Sequence, residues 1–300
     1  MTSGRPAQSE EVATDVALVR RLIASQFPRL AAFVVDRLAT TSTDNDIYRL
    51  GPDMAVRLPR RASAEAPLNK EHEWLPRLAP RLNVAVSLPI AKGVPESDYP
   101  YRWSIVRWIE GDLPPLLVND PALARDVAQF VLALQAIDAS SGPVPGVHNF
   151  WRGVPLVARD ASMRERFDWL SDLPDISVIR SVWDAALNLP AWGEAPVWTH
   201  GDLHRGNLLI RDGRLAGVLD WSALAVGDPA GDFGLAWSLL GADARAAYRE
   251  TTAADDATWA RGRAWALIEG VLALSYYCGR NDVLAQAGRR IIDAVLADHE

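Results

Sequence analysis

The reading of this chain turns on residues 197–221, VWTHGDLHRGNLLIRDGRLAGVLDW. The stretch alternates between short apolar runs and polar breaks. Val197 and Trp198 lead into a polar loop that carries His200, Gly201 and Asp202 and closes on Asn207. Leu208 to Ile210 is a second apolar run. Asp212-Gly213 between two such runs is a strong hairpin-turn signal. Residues 215–219 form the third run and end on Asp220. The order is therefore strand, polar loop, strand, turn, strand. It predicts that Asp202, Asn207 and Asp220 stand at loop or strand ends, where they converge. Two carboxylates and an amide are oxygen ligands suited to Mg²⁺, and the same groups can hold a hydroxyl beside a phosphate.

The spacing resembles the catalytic centre of protein kinases, in which an H-R-D-x-x-x-x-N loop precedes a metal-binding Asp. Four residues separate Asp202 from Asn207 here, His200 holds the His position, and Gly201 replaces the Arg. Trp221 and Ser222 follow the second Asp in place of Phe-Gly. HGDLHRGN followed by LDW is similar to the aminoglycoside and macrolide phosphotransferase family, which has a kinase-like fold. An ordinary polar hairpin would need neither the loop spacing nor the second Asp. The resemblance implies an α+β, two-lobed, protein-kinase-like fold. A small N-terminal lobe of sheet and helix spans 1–108, a hinge lies at 109–112, and a larger helical lobe occupies 113–300.

Composition sets the outer bounds. Three hundred residues, 49% hydrophobic and with twelve Trp, suit one large domain or two small ones with a substantial core. A net charge of −7 does not point to a nucleic-acid partner. The polar N-terminus lacks the apolar run of a signal peptide, and no stretch is apolar enough to span a membrane. A cytoplasmic enzyme is expected. The single cysteine, Cys278, lies in an apolar helical stretch and reads as an inert core thiol.

Towards the N-terminus, helical periodicity covers 9–26, with Val12, Val16, Val19 and Ile23 on one face. Residues 34–38, 47–50 and 54–58 read as three strands, as at the start of a kinase N-lobe. The first hairpin has no glycine, so phosphate would meet backbone amides and the hydroxyls of Ser42 and Thr43. Arg57 stands where kinases carry the phosphate-binding Lys, and guanidinium is a permanent cation with a fork of donors. Arg60 and Arg61 are close enough in sequence to share that role. Residues 66–75 read as a helix that Pro76 should end. Glu71 lies beside its apolar stripe and Glu73 points away. Glu71 is thus the expected partner of Arg57, since a carboxylate at a buried stripe needs a cation. Residues 101–108 form an aromatic strand. Trp108 and Ile109 then open the hinge, which by the resemblance contacts the nucleotide base.

Towards the C-terminus, residues 121–137 are helical, and 151–189 carry helical segments punctuated by proline. In the family this region walls the acceptor site. Trp151, Trp169 and Trp183 read as packing residues. Residues 230–240 form a helix whose first turn holds Asp232. The resemblance implies that Asp232 braces the catalytic loop. His200 and His204 flank Asp202, and a His there can shape the loop or meet substrate, with loop packing the expected role for His200. Three further helices complete the chain.

The expected activity is transfer of the γ-phosphate of ATP or GTP to a hydroxyl of a small molecule. Asp202 would accept or orient the hydroxyl proton, Asn207 and Asp220 would hold Mg²⁺, and Arg57, positioned by Glu71, would clamp phosphate. The acceptor could be an antibiotic or a metabolite of the choline, homoserine, sugar or fructosamine kind. The wall segments 151–189 and 257–278 show no dense acidic cluster. They favour an acceptor of modest positive charge and considerable apolar surface, closer to a macrolide than to a polycationic aminoglycoside. A protein kinase is not expected, because there is no A-P-E segment. A non-catalytic nucleotide-binding module would lack Asp202 or Asp220, and both are present. Oligomeric state is open.

Overall fold

A computed structural model of the chain describes residues 11–38 and 44–298. Ser42 and Thr43 lie outside the described residues. Helix α1 spans Val16–Gln26. It does not begin at residue 9, because the Asp15 side chain accepts a bond from the Leu18 amide at 2.7 Å and caps the helix there. Residues 11–15 are not helical. Strands β1 (Val35–Arg37), β2 (Asn45–Leu50) and β3 (Met54–Pro59) follow, then α2 (Glu65–Leu78), β4 (Ala85–Val86), β5 (Pro89–Gly93) and β6 (Trp103–Arg107). Five of these strands make an antiparallel sheet in the order β1-β2-β3-β6-β5. One face buries Tyr48, Leu58, Trp103 and Ile105 against Val19, Leu22 and Ile23 of α1.

Helix α2 runs past Pro76, where the sequence predicts its end. Proline removes one intrahelical donor. The last turn persists because Trp74, Leu75 and Leu78 are all buried in the larger core, and that burial offsets one lost bond. Lys70 on the same helix is buried as well. Its Nζ donates to the Ser222 carbonyl at 2.6 Å and to the His148 carbonyl at 3.3 Å, across from the second lobe.

The larger lobe contains α3 (Pro121–Gln135), α4 (Asp160–Trp169), α5 (Ile176–Ala186), β7 (Val197–Thr199), β8 (Leu208–Arg211), β9 (Arg214–Val218) and β10 (Ala225–Gly227). It continues with α6 (Ala230–Phe233), α7 (Leu235–Ser238), α8 (Ala242–Thr252), α9 (Asp256–Tyr277) and α10 (Asp282–Ala297). Residues 230–240 are thus two short helices and not one. The break falls at Gly234, where an added Cβ would lie 3.3 Å from the Ala266 amide nitrogen of α9. β8 and β9 form the predicted hairpin. Asp212 (φ 54°) and Gly213 (φ 73°) are both left-handed, as a two-residue type I′ turn requires. β4 pairs in parallel with β9, so a strand from the N-terminal half flanks the strand that delivers Asp220.

Two expectations about single residues change. Cys278 is exposed, because α9 ends at Tyr277 and Cys278 is its cap. Trp183 is fully buried and donates to Asp160 at 2.8 Å, but Trp151 and Trp169 are about half exposed. The fold is the two-lobed, kinase-like α+β architecture. Among the described residues, no helix is long and apolar enough to cross a membrane.

Candidate active site

The loop between β7 and β8 is held from beneath. Asp232, fully buried at the start of α6, accepts from the amides of His200 at 2.8 Å and Gly201 at 2.7 Å. Burial pushes its carboxyl up to about 6 despite those two amides. Gly201 has φ +80°, and a Cβ there would stand 2.7 Å from the Ala223 carbonyl oxygen. That crowding explains why glycine replaces the arginine of the kinase pattern. His200 is also fully buried. Its Nε2 is 3.0 Å from the Leu219 carbonyl, and its ring packs against Trp221. Burial pushes it down to about 4, so it is a neutral strut between the loop and the end of β9.

Asp202 emerges half-buried from this scaffold. The Asn207 side-chain amide donates to the Asp202 carbonyl at 2.9 Å, tying the two ends of the loop together. Burial alone would raise the Asp202 carboxyl. The hydrogen bond and charge of His204, with the charge of Arg152, overcome it and hold the group well below the usual carboxylate range. Asp202 is therefore held ionised, with its carboxylate oxygens as hydrogen-bond acceptors.

Asp220 sits at φ 51°, a left-handed conformation that is uncommon for a non-glycine residue. One of its oxygens accepts from the Ser222 amide at 3.2 Å and lies 3.9 Å from Arg57. Arg57 in turn donates to Glu71 at 2.5 Å. Glu71 is buried on α2 and its other oxygen accepts from the Trp221 amide at 3.1 Å. One carboxylate thus joins the strand cation to the residue beside Asp220. Burial tends to push Glu71 up, and Arg57 opposes it. Arg57, Asn45, Leu68, Asp220 and Ser222 line a narrow cleft between the lobes. Glu73 is exposed, Arg60 pairs with Glu11, and Arg61 pairs with Asp44.

The hinge is only partly as expected. The Trp108 amide donates to the Asp53 carbonyl at 2.8 Å, and Arg49 stacks on its ring at 4.0 Å. That amide is committed to the β2–β3 turn, so it cannot meet a nucleotide base. Ile109 is buried against Gly217 of β9.

Sequence reading missed Arg152. It reaches Asp202 and Glu269 at 3.3 Å each, with its guanidinium over Trp265. The only local signal was an arginine in a Trp-Arg-Gly turn. Its partners lie 50 and 117 residues away in the chain. Burial pushes Glu269 up to about 7, with Arg152 working against the rise.

The oxygen donors at Asn207 and Asp220 suit a hard divalent cation that takes its other ligands from phosphate and water. Among the described residues, no group of three or more His, Cys, Asp or Glu could hold a metal ion by itself. Arg57 and Asp220 line one cleft and offer it a phosphate-binding cation and a metal-binding oxygen, while Asp202 offers a hydrogen-bond acceptor on the neighbouring loop.

Comparison with known proteins finds the same fold in solved structures. The GDP and kanamycin complex of APH(2")-IIia has a TM-score of 0.75 and 18% identity, covering 94% of this chain and 99% of that one. The apoenzyme of macrolide 2'-phosphotransferase MphH from Brachybacterium faecium has a TM-score of 0.62 and 21% identity, covering 93% and 98%. An uncharacterized protein of Bacillus subtilis (strain 168), YcbJ, is 26% identical over 158 residues, 52% of this chain. The match spans only 49% of that relative's length. The profile of the phosphotransferase enzyme family (APH) matches residues 37–265, and this chain belongs to that family.

Proposed function

We propose that the protein transfers the γ-phosphoryl group of ATP or GTP to a hydroxyl of a small molecule. The hydroxyl oxygen forms the new bond to phosphorus, the bond to the β-phosphate breaks, and the nucleoside diphosphate leaves. Asp202 orients the hydroxyl and accepts its proton as the new bond forms. Arg57, positioned by Glu71, neutralises phosphate charge. Asn207 and Asp220 hold Mg²⁺, which when bound supplies charge neutralisation at the phosphates. The segment 109–112 joins the lobes, and Ile109 flanks the base. The reaction belongs to the cytoplasm, where nucleoside triphosphates are supplied.

One observation supports this reading above the others. The bonds from Glu71 to Arg57 and to the Trp221 amide bind the phosphate cation to the strand end that carries Asp220. A structural ion pair alone would not need the second bond. Aminoglycosides and macrolides, the compounds named for the similar structures, are the antibiotic class of acceptor to test. Hydroxylated metabolites are the other class. The experiment is nucleotide consumption by the purified protein against both classes, with the phosphorylated product read by mass spectrometry. Consumption that tracks one acceptor, with a product heavier by one phosphoryl group, supports the proposal. Nucleotide that neither binds nor turns over with any acceptor counts against it.

A further inference from the structure

The wall beside Asp202 is basic. Arg152, in a turn where Phe150 and Trp151 are both left-handed (φ 56° and 60°), leans on Asp202 and Glu269. Arg159 follows just before α4. It is half-buried, and its Nε is buried with no hydrogen-bond partner. Among the described residues its guanidinium makes one hydrogen bond, a long one of 3.4 Å from Nη1 to the Phe150 carbonyl. Arg166, two turns along α4, reaches only the Ser275 hydroxyl of α9 at 3.5 Å and rests on the Trp169 ring. Among the described residues, neither Arg159 nor Arg166 has a carboxylate within salt-bridge distance.

Three acids of this wall are paired with other arginines, and Asp172 is exposed. Asp160 pairs with Arg164, Asp168 with Arg180, and Asp175 with Arg289. They do not converge on the acceptor side. Exposed Glu165 acts on Arg166 only through its charge. Burial lowers the Arg159 guanidinium, and the charges of Arg152 and Arg166 lower it further, so the three cations crowd one another. Half-buried like charges without counterions oppose folding. Guanidinium is the side chain best shaped to take a carboxylate or phosphate in a two-pronged bond. Arg152 and Arg166 both reach α9, at Glu269 and Ser275, and Arg152 also touches the catalytic loop at Asp202.

We propose that Arg159 and Arg166 form an anion subsite, so that the acceptor carries a carboxylate or phosphate group besides the hydroxyl that is phosphorylated. This rests on the phosphotransferase reading. It differs from the modest positive charge expected from wall composition, and it agrees with that expectation in disfavouring a polycation.

The test keeps the nucleotide site filled. Wild type saturated with ADP and Mg²⁺ is titrated by calorimetry with inorganic phosphate and, separately, with citrate. Binding of either anion is expected, with phosphate alone or citrate alone identifying the headgroup. Arg159→Gln and Arg166→Gln should each weaken it at least about tenfold, the scale of a lost charged hydrogen bond. Arg164→Gln on the same helix should leave it unchanged. In the acceptor assay, hydroxy acids or hydroxylated phosphates should be turned over in preference to kanamycin. ADP binding without any anion binding overturns the subsite and leaves the phosphotransferase reading standing, as does anion binding that neither variant weakens. Absence of ADP binding overturns the reading itself. If Arg159→Gln does not fold, Arg166→Gln alone decides the outcome.

Discussion

Asp202 carries two demands at once. In the proposed reaction it faces a hydroxyl, and it is ringed by His204, Arg152 and Asn207, all of which favour its ionised form. Asp202→Ala is expected to slow phosphoryl transfer by about 10²–10⁴ while nucleotide affinity stays near wild type. Single-turnover kinetics beside calorimetry with ADP measure both, and unchanged turnover would remove Asp202 from the chemistry. His200 makes a separable claim about pH. Its folded value is about 4 against an ordinary 6.5. Between those values the unfolded chain binds a proton that the folded chain does not. The stability it contributes is therefore complete above 6.5 and is lost as pH falls towards 4. Asp232 and Glu269, raised to about 6 and about 7, work in the opposite sense over the same range. The difference between wild type and His200→Asn isolates the histidine. From pH 7 to pH 5 in urea titrations, wild type should lose about 2 kcal/mol more than the variant. Parallel losses would mean that His200 titrates normally.

At the scale of elements, α2 is the part that connects the others. Its face presents Glu71 to Arg57 of β3 and to the amide after Asp220, and Lys70 to the Ser222 carbonyl. A strand, a helix and the metal-side turn therefore share one polar network. Arg57→Ala and Glu71→Ala should be non-additive in Mg-nucleotide binding by roughly 0.5–3 kcal/mol, the range for residues within one network. A double-mutant cycle measures this directly, and strict additivity would dissolve the network. The same element exposes a limit of sequence rules. Pro76 reads as a stop, but the burial of Leu75 and Leu78 carries the helix through it. Burial is a property of the packed core, which local propensity does not contain.

For the whole molecule, the two lobes meet through Lys70, the Glu71 network and the parallel pairing of β4 with β9. A ligand that fits this seam stabilises the folded state by its occupancy. Mg-nucleotide at 100 times its dissociation constant should add about 2.7 kcal/mol. Removing the metal with EDTA should abolish most of that gain, and Asp220→Asn should mimic the removal. Thermal melts with ATP, with and without EDTA, provide the comparison. Identical melts in the two would take Asn207 and Asp220 out of a metal site.

The sequence by itself determined the parts of the site that are contiguous in the chain. The His200–Asn207 loop, the Asp212-Gly213 turn and the position of Asp220 follow from spacing and local backbone preference, because each feature closes within a few residues. The choice of Glu71 over Glu73 was legible too, since helical periodicity alone puts one beside the apolar stripe. Only the tertiary structure decided what surrounds that loop. Arg152 meets Asp202 and Glu269 across 50 and 117 residues, and the Trp108 amide is spent on a turn formed far from it in sequence. The acids at 160, 168 and 175 could be counted in the sequence, but which arginines consume them could not. Charge pairing depends on distances of a few ångströms set by packing of distant helices, and no periodicity in the chain encodes those.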